Sequence, residues 1–545
     1  MKWKIPQQDT VKTHDELTAQ LVENREIDDL DKFFKPEHPS KIKPQQIKIN
    51  PAQFKKALAR IQTAIKNQQK VLIYGDYDAD GITATSIIWL TLNNLGLQAQ
   101  PFIPDRAKHG YGLSLKGLEQ ALAKTKPELI ITVDNGVTAL KELEWLAKKN
   151  IDVIVTDHHQ LSHQKLPVYA TVHSTQVCGA GVAWLLMKAL DEKYAKSLLD
   201  LVAIATVADQ VPLLGVNRSF VKFGIELLRQ DNRVGLSALF QTAGLKPETI
   251  DASTIGFQIA PRINATGRVA TGITAVRLLC LQNFSSAMLL ATKLETLNQD
   301  RQALTDNQFK IAFSQASKQL KNKLIIVHSD SFHEGVIGLL SGKLTEKFYK
   351  PSIVVATENR VAKASARSVA GVNITELIKT VETELLNMGG HTLAAGFSLE
   401  KTKLTMVKKK LLENAGKLID SQLLQPKLTI DIMIDQSLLV KETVKLLAKF
   451  EPFGLGNPRP VLAVKDCSVV KAMAIGKDKK HLKLALRVDK DSYFTLDAVG
   501  WNMATLLEKI LQHKTVNLAF NLELNNWNGR ESVQLNLKDI NFSQI

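Results

Sequence analysis

Apolar and polar positions fall in blocks along the first half of the chain. Val71-Leu-Ile-Tyr74 is a continuous apolar run that passes straight into Gly75-Asp-Tyr-Asp-Ala-Asp-Gly81, after which Ile82 to Leu95 switch to helical spacing and Gly96 offers a stop. Such a block predicts a strand covered on both faces, a charged loop at its carboxyl end, and a helix. The design recurs in Glu128-Leu-Ile-Ile-Thr-Val-Asp-Asn-Gly136 and in Ile151-Asp-Val-Ile-Val-Thr-Asp-His-His159. Strands alternating with helices, up to about Gly272, predict an α/β domain with a mostly parallel sheet. Ahead of it, residues 1–50 are polar and punctuated by Lys and Pro, with a weak helical pattern around Thr13 to Asn24, and read as an arm wrapped on this main domain.

Between Gly272 and Gly335 there is neither glycine nor proline, and Ala287, Leu290, Leu294, Leu297 and Leu304 recur at spacings of three and four with one gap. One long helix is expected there. The pattern alone suits a connector between two domains or an ordinary bundle helix. Leu324 to His328, a helix over about Glu334 to Phe348, and Ile353 to Ala356 then begin a second, smaller α/β unit. From Lys427 the pattern becomes short alternating strands, Lys427 to Ile434, Leu482 to Val488, Phe494 to Gly500, Val516 to Leu524 and Ser532 to Leu537, as in a small β-barrel. The expected organisation is therefore an arm (1–50), an α/β domain (51–272), a helix (273–321), a second α/β domain (322–426) and a barrel (427–545).

At 545 residues and 45% apolar composition the chain is too long for a single core. No apolar run approaches the roughly 18 residues of a membrane span, and the opening residues lack a signal-peptide core, so a soluble cytoplasmic protein is expected. Cys178, Cys280 and Cys467 are scattered without metal-ligand spacing and read as reduced core thiols. Lys and Arg number 70 against 54 Asp and Glu, a net charge of +16. That excess, seen in runs such as Lys408-Lys-Lys410 and Lys477-Asp-Lys-Lys-His481, suits a polyanionic partner, although a solvated surface explains any one run equally well.

Asp76, Asp78 and Asp80 crowd three carboxylates into five residues, and they stay ionised together in a partly desolvated site only if a cation shares it. A calcium loop would also open Asp-x-Asp-x-Asp-Gly, but its twelfth position here is Ile87 and a strand leads in. A solvated acidic turn is the remaining rival. Because ligands gather at the carboxyl ends of parallel strands, Asp134, Asp157, His158 and His159 should converge on the same place. Asp209, which interrupts the apolar Ile204 to Leu213, joins them or caps a helix. Carboxylates with imidazole suit Mn2+ or Mg2+, the nitrogen favouring Mn2+, and this many acids exceed the needs of one ion. Two divalent ions about 3.5–4 Å apart hydrolyse phosphoesters without a covalent intermediate.

In their order and spacing, Asp76-Tyr-Asp-Ala-Asp-Gly81, Val133-Asp-Asn-Gly136, Asp157-His-His159 and Ala208-Asp209 resemble the four motifs of the DHH phosphoesterase superfamily. Ala260-Pro-Arg-Ile-Asn-Ala-Thr-Gly-Arg268, Ser365-Ala-Arg-Ser368, Gly389-Gly-His-Thr-Leu-Ala-Ala-Gly396 and Pro452-Phe-Gly-Leu-Gly-Asn-Pro458 are similar to its bacterial single-strand-specific DNA exonucleases. The resemblance implies a DHH domain, a connector helix, a DHH-associated domain (DHHA1) and an OB-fold. It implies that Asp78 holds one ion with Asp76 beside it, that Asp80, His158 and Asp209 hold the other, and that Asp134 bridges both. His159 would contact the scissile phosphate or protonate the leaving group, oriented by Asp157; spacing leaves either histidine able to take metal. Arg262 or Arg268 with Asn264, and Ser365 with Arg367, would receive the terminal phosphate, since guanidinium forks and hydroxyls suit phosphate oxygens, and His391 would contact nucleotide.

The implied activity is 5′ to 3′ hydrolysis of single-stranded DNA to 5′-mononucleotides in DNA repair and recombination, by a monomer. Single-strand-binding protein and a helicase are candidate partners. A narrow passage between the α/β units would exclude duplex, and the barrel would grip the strand downstream. Tyr493, Phe494, Trp501 and Trp527 are candidate stacking platforms, or simply barrel core. The rivals are a phosphatase for very short oligonucleotides or nucleotide phosphates and a non-enzymatic binding or scaffold protein with a degenerate core.

Overall fold

The structure is a computed structural model that describes residues 1–545 except 6–9, 111, 162–163, 270, 488–494, 514, 528 and 543–545. It divides into two compact units, one of residues 40–211 and 223–426 and one of residues 1–39, 212–222 and 427–545.

In the first unit a parallel sheet runs in the order Ala99–Phe102, Val71–Tyr74, Leu129–Val133, Asp152–Asp157, Ala170–His173. Every residue of Val71–Tyr74 and Leu129–Val133 is buried, as continuous apolar runs require. The helix Ala79–Asn94 follows the first acidic loop, capped by Asp78, whose Oδ1 accepts from the Gly81 amide at 3.1 Å. The expected alternation stops at Ala170–His173, and the segments that follow it are helical, among them Gly179–Lys188, Leu199–Ala208, Val234–Ala243 and Ala260–Val269. Apolar runs such as Leu201 to Ala205 are fully buried, and a short buried run fits a helix as well as a strand.

The single helix expected from residue 273 is two. Ile273–Cys280 ends, and a helix of 34 residues, Phe284–Ser317, starts anew at Asn283, whose side chain accepts from the Ser286 amide at 2.9 Å. Its later half enters the core of the second sheet, where Ala312 and Ala316 pack with Ile325, Val327, Phe332 and Leu340. That sheet has Ile325–Ser329 parallel to Ser352–Ala356, followed by antiparallel Val361–Arg367, Ala394–Glu400 and Asn387–His391.

The second unit is the barrel. Leu462–Ile475, His481–Arg487, Thr495–Gly500, Arg530–Asn541 and Thr515–Trp527 pair in that order, and Leu462–Ile475 pairs again with Thr515–Trp527 to close the circle. The Leu462–Ile475 strand is absent from the sequence reading because register shifts after Val464 and Val469 break its period of two. Lys427 to Ile434, expected as one strand, is split: Lys427–Thr429 pairs with Lys2–Lys4, and Ile432–Met433 with Leu462–Ile475.

The arm is divided between the two units, residues 1–39 belonging with the barrel and 40–50 with the first α/β domain. Leu17 and Leu21, on the helix His14–Asn24, and Phe33 are buried with Ile434, Leu447 and Phe450 in the barrel unit's core. Trp501 is 58% exposed and meets His481 edge-on, with ring centroids 4.9 Å apart. Tyr493, Phe494 and the side chain of Trp527 lie outside the described residues. Among the described residues no helix is long and apolar enough to cross a membrane.

Arg218 fastens this unit. Its guanidinium donates to the carbonyls of Phe33 at 2.8 Å, Phe450 at 3.1 Å and Glu451 at 2.6 Å, and it lies 3.8 Å over the Phe33 ring. Arg218→Leu leaves buried carbonyls without donors and should destabilise the unit by about 3 kcal/mol. Chemical denaturation with a midpoint unchanged from wild type would contradict this.

Candidate active site

Three parallel strands deliver the acids to one edge of their sheet. Asp76 follows Val71–Tyr74, Asp134 follows Leu129–Val133, and Asp157 ends Asp152–Asp157. Asp209 caps the carboxyl end of Leu199–Ala208. Asp134 holds a left-handed backbone (φ +59°), fixed by its amide donating to the Thr156 carbonyl at 3.0 Å. Gly179 permits close approach on the other side, since a Cβ there would lie 2.8 Å from the Asp134 Cβ.

His158 sits at the centre. Its Nε2 is 3.1 Å from Asp134 Oδ1, 3.6 Å from Asp80 Oδ2 and 3.7 Å from Asp209 Oδ2. Two groups of donors, Asp134–His158–His159 and Asp80–His158–Asp209, each have ligand atoms within 4.8 Å of one another. The donor common to both is His158, whereas the resemblance implied a bridge at Asp134. Asp76 and Asp78 belong to neither group, yet both raise the pKa of Asp134 by their charge and so stand in the same field.

The acids are of two kinds. Asp80 is satisfied by the amides of Gly179 (2.6 Å) and Ala180 (2.7 Å). Asp157 accepts from the amides of His158, His159 and Val137 and from His159 Nδ1 at 2.7 Å. Burial pushes Asp157 up, but the hydrogen bond and charge of His159 with the backbone amides hold it below the usual carboxylate range. The bond to Asp157 raises His159 to about 9 against burial.

By contrast, Asp76 Oδ2 and Asp134 Oδ1 are buried and make no hydrogen bond, Asp134 Oδ1 meeting the His158 ring nitrogen at 3.1 Å as an ion-pair contact alone. Burial and neighbouring carboxylates push Asp134 well up, Asp76 to about 8 (with Asp78) and Asp209 to about 8 (with Asp80 and Asp78). Unpartnered buried carboxylate oxygens beside imidazole are the donor set of a divalent cation of Mn2+ or Mg2+ type, and the residues fit one.

A cleft of about 1060 Å³ opens beside this cluster, lined by Arg106, Arg268, Ser365 and Arg367 together with Asp105, His333, Glu334, Lys363 and the Gly389-Gly390 turn. It adjoins the acids through Tyr77: a Cβ at Gly267 would lie 2.3 Å from the Tyr77 carbonyl oxygen, and the Arg106 guanidinium is 5.5 Å from the Tyr77 ring centroid. Burial and the charges of Arg106, Arg301 and Arg367 lower Arg268 to about 10, so guanidinia stand within one another's field here, although Asp105, Glu334 and Glu358 also line the cleft.

Arg268, Ser365 and Arg367 thus reach the cleft. Arg262 does not line it; its guanidinium is engaged by Glu295 at 2.5 Å and the Gln258 carbonyl at 2.7 Å. Asn264 accepts from the Ala79 amide at 2.8 Å and thereby fixes the acidic loop. His391 is exposed at the end of Asn387–His391, outside the lining. Sequence reasoning missed Arg106, which follows the Ala99–Phe102 strand as a strand-end residue should. It also missed the Gly179 and Ala180 amides, signalled only by the small residues of Cys178-Gly-Ala-Gly181.

Residues 70–206 match the DHH family N-terminal domain, 321–422 the DHHA1 domain and 430–539 the RecJ OB domain. A protein of Bacillus subtilis (strain 168) named single-stranded-DNA-specific exonuclease RecJ is 34% identical over 570 residues, covering 100% of this chain and 71% of the relative. Two crystal structures of RecJ from Thermus thermophilus superpose over 100% of this chain. The one in complex with Mn2+ has a TM-score of 0.82 at 27% identity over 80% of that chain. The one with Mg2+ has 0.77 at 26% over 79%.

In chelator, the native protein binds protons at Asp76 and Asp209 up to about pH 8, which the unfolded chain releases in the ordinary carboxylate range. Stability should therefore fall as pH rises between these limits, and a saturating divalent cation should raise the melting temperature most at the alkaline end. Melting curves from about pH 5 to 8, with EDTA or Mn2+, test this; a chelated protein most stable at pH 8 would contradict it.

Proposed function

Because the chain belongs to the RecJ family of single-stranded-DNA-specific exonucleases, we propose that it hydrolyses single-stranded DNA from the 5′ end, releasing 5′-mononucleotides with the help of two divalent cations, Mn2+ or Mg2+. The observation that carries the reading is the meeting of Asp76, Asp78, Asp80, Asp134, His158 and Asp209 at one sheet edge, with buried oxygens of Asp76 and Asp134 left without a hydrogen bond.

Asp80, His158 and Asp209 would hold one ion. Asp78 and Asp134, with Asp76 alongside, would hold the other, Asp134 being shared. When bound, such ions polarise the phosphate and make water nucleophilic near neutral pH. The chain's own residues do the rest. His159, kept protonated by Asp157, carries a proton to the departing 3′ oxygen or donates to the scissile phosphate. Asp157 is clamped by three backbone amides and cannot turn toward an ion, so it orients His159.

The 5′-terminal phosphate is received by Arg268, Ser365 and Arg367, with Arg106 added to that set, and His391 contacts nucleotide from the exposed turn. Arg262 and Asn264 support these groups without touching phosphate. Membership of the family supports a place in DNA repair and recombination. A cytoplasmic monomer working with single-strand-binding protein and a helicase completes the proposal.

Asp134→Ala should lower turnover about a hundredfold or more while leaving single-strand binding, the order expected when charge stabilisation in the transition state is lost. End-labelled strands of both polarities, with Mn2+, Mg2+ or EDTA, test class, direction and cofactor together. Digestion undiminished in EDTA would refute the proposal, and a preference for dinucleotides over long strands would favour a phosphatase. Binding should weaken with salt, the logarithmic slope steepening by about 0.7 per phosphate contacted; a flat response would show that the positive surface is not used.

A further inference from the structure

The helix Phe284–Ser317 presents Gln308, Ala312, Gln315 and Ala316 on one face, and Gln319 continues it just past the helix end. The alanines are wholly buried and let the helix approach the sheet edge at Ile325–Ser329 closely. Each glutamine amide then behaves as a piece of missing strand. Gln319 donates to the Ile326 carbonyl (3.0 Å) and accepts from its amide (3.1 Å). Gln315 does the same with His328, at 3.0 and 3.1 Å. A neutral amide is suited to this because it offers a donor and an acceptor side by side, and the pairing covers an edge that would otherwise be open.

Gln308 departs from the pattern by reaching past the strand. It donates to the Ser331 carbonyl at 2.6 Å and accepts from the His333 amide at 3.1 Å, and its side chain is buried. The segment it grips enters the cleft. His333, Glu334 and Gly335 are lining residues, His333 Nδ1 accepts from the Gly335 amide at 3.0 Å, and the Gly335 carbonyl accepts from Arg268 Nη1 at 3.0 Å. Two residues later begins the helix Ile337–Phe348, where a Cβ at Gly338 would lie 3.3 Å from Ser365 Oγ and 3.6 Å from Arg367 Nη2.

We propose that Gln308 is a positioning residue for terminal-phosphate recognition: by gripping Ser331 and His333 it sets Gly335 against Arg268 and the start of the Ile337–Phe348 helix against Ser365 and Arg367. The proposal rests on the exonuclease reading. Gln315 and Gln319 fasten the same helix to the same sheet but hold no lining residue, which gives the test its control.

Full-length wild type, Gln308→Met and Gln315→Met are assayed with Mn2+ on one single-stranded oligonucleotide bearing either a 5′-phosphate or a 5′-hydroxyl. Gln308→Met should raise KM for the phosphorylated strand about tenfold with kcat within about twofold, and narrow the preference over the hydroxyl strand, while Gln315→Met leaves the preference intact. Gln308→Glu keeps the acceptor for the His333 amide and should shift KM in the same direction by less, which provides a readout if the methionine variant does not fold. Equal preference in wild type and both Gln308 variants, or equal effects of Gln308→Met and Gln315→Met, would overturn the positioning role. Wild type that cleaves neither strand would overturn the exonuclease reading itself.

Discussion

The α/β unit is arranged around electrostatic repulsion that protein groups alone do not relieve. Parallel strands ending side by side bring Asp76, Asp134 and Asp157 together, and the helices that bury the sheet remove the water that would have solvated them. Two carboxylates are answered by backbone: Asp80 by the Gly179 and Ala180 amides, Asp157 by three amides and a histidine. Others are not. Asp76 and Asp134 keep buried oxygens without a hydrogen bond, and burial with the neighbouring carboxylates pushes both groups up, because ionising them without a counter-charge is costly. A divalent cation meets that need, so the arrangement that destabilises the bare fold is the one that selects its cofactor.

The cleft beside the acids gathers guanidinia among its lining residues. Arg268 is pulled down to about 10 by burial and by neighbouring guanidinia, as the carboxylates are pushed up by burial and by each other. An anion is the ligand whose charge answers these guanidinia. The glycines that matter are those that let these groups approach. Gly179 admits Asp134, and Gly267 admits the backbone of Tyr77, in both cases where a methyl group would collide. The second sheet carries Ser365 and Arg367, and glutamine amides tie its edge to the long helix.

In the barrel unit the same rule, that buried polar groups require partners, produces structure in place of chemistry. Arg218 serves four backbone carbonyls, those of Phe33, Phe450, Glu451 and Pro452, from segments more than 180 residues away in sequence, and Arg25 pairs with Asp431. Leu17, Leu21 and Phe33 complete the core. An arm that looks polar and weakly patterned is thus held by a few apolar anchors, too few to announce a packing partner in a linear reading.

The sequence by itself determined the buried strands, the acids at their ends, the chemistry those acids demand and the family to which their motifs belong. Apolar, β-branched runs of one design that stop at an acidic loop read as parallel strands, and five-residue crowding of carboxylates implies a cation once that loop is desolvated. It did not determine that the alternation ends at His173, that the long helix starts at Asn283, or that a bulged strand at Leu462 closes the barrel, because helix and strand compete evenly for short buried apolar runs and a bulge erases the period. Only the tertiary structure decided that Arg262 meets Glu295 and Asn264 the Ala79 amide while Arg106 reaches the cleft, and that the arm's first 39 residues belong with the barrel. A guanidinium or an amide has the same potential bonds in any loop, and which of them it makes is fixed by neighbours that arrive from elsewhere in the chain.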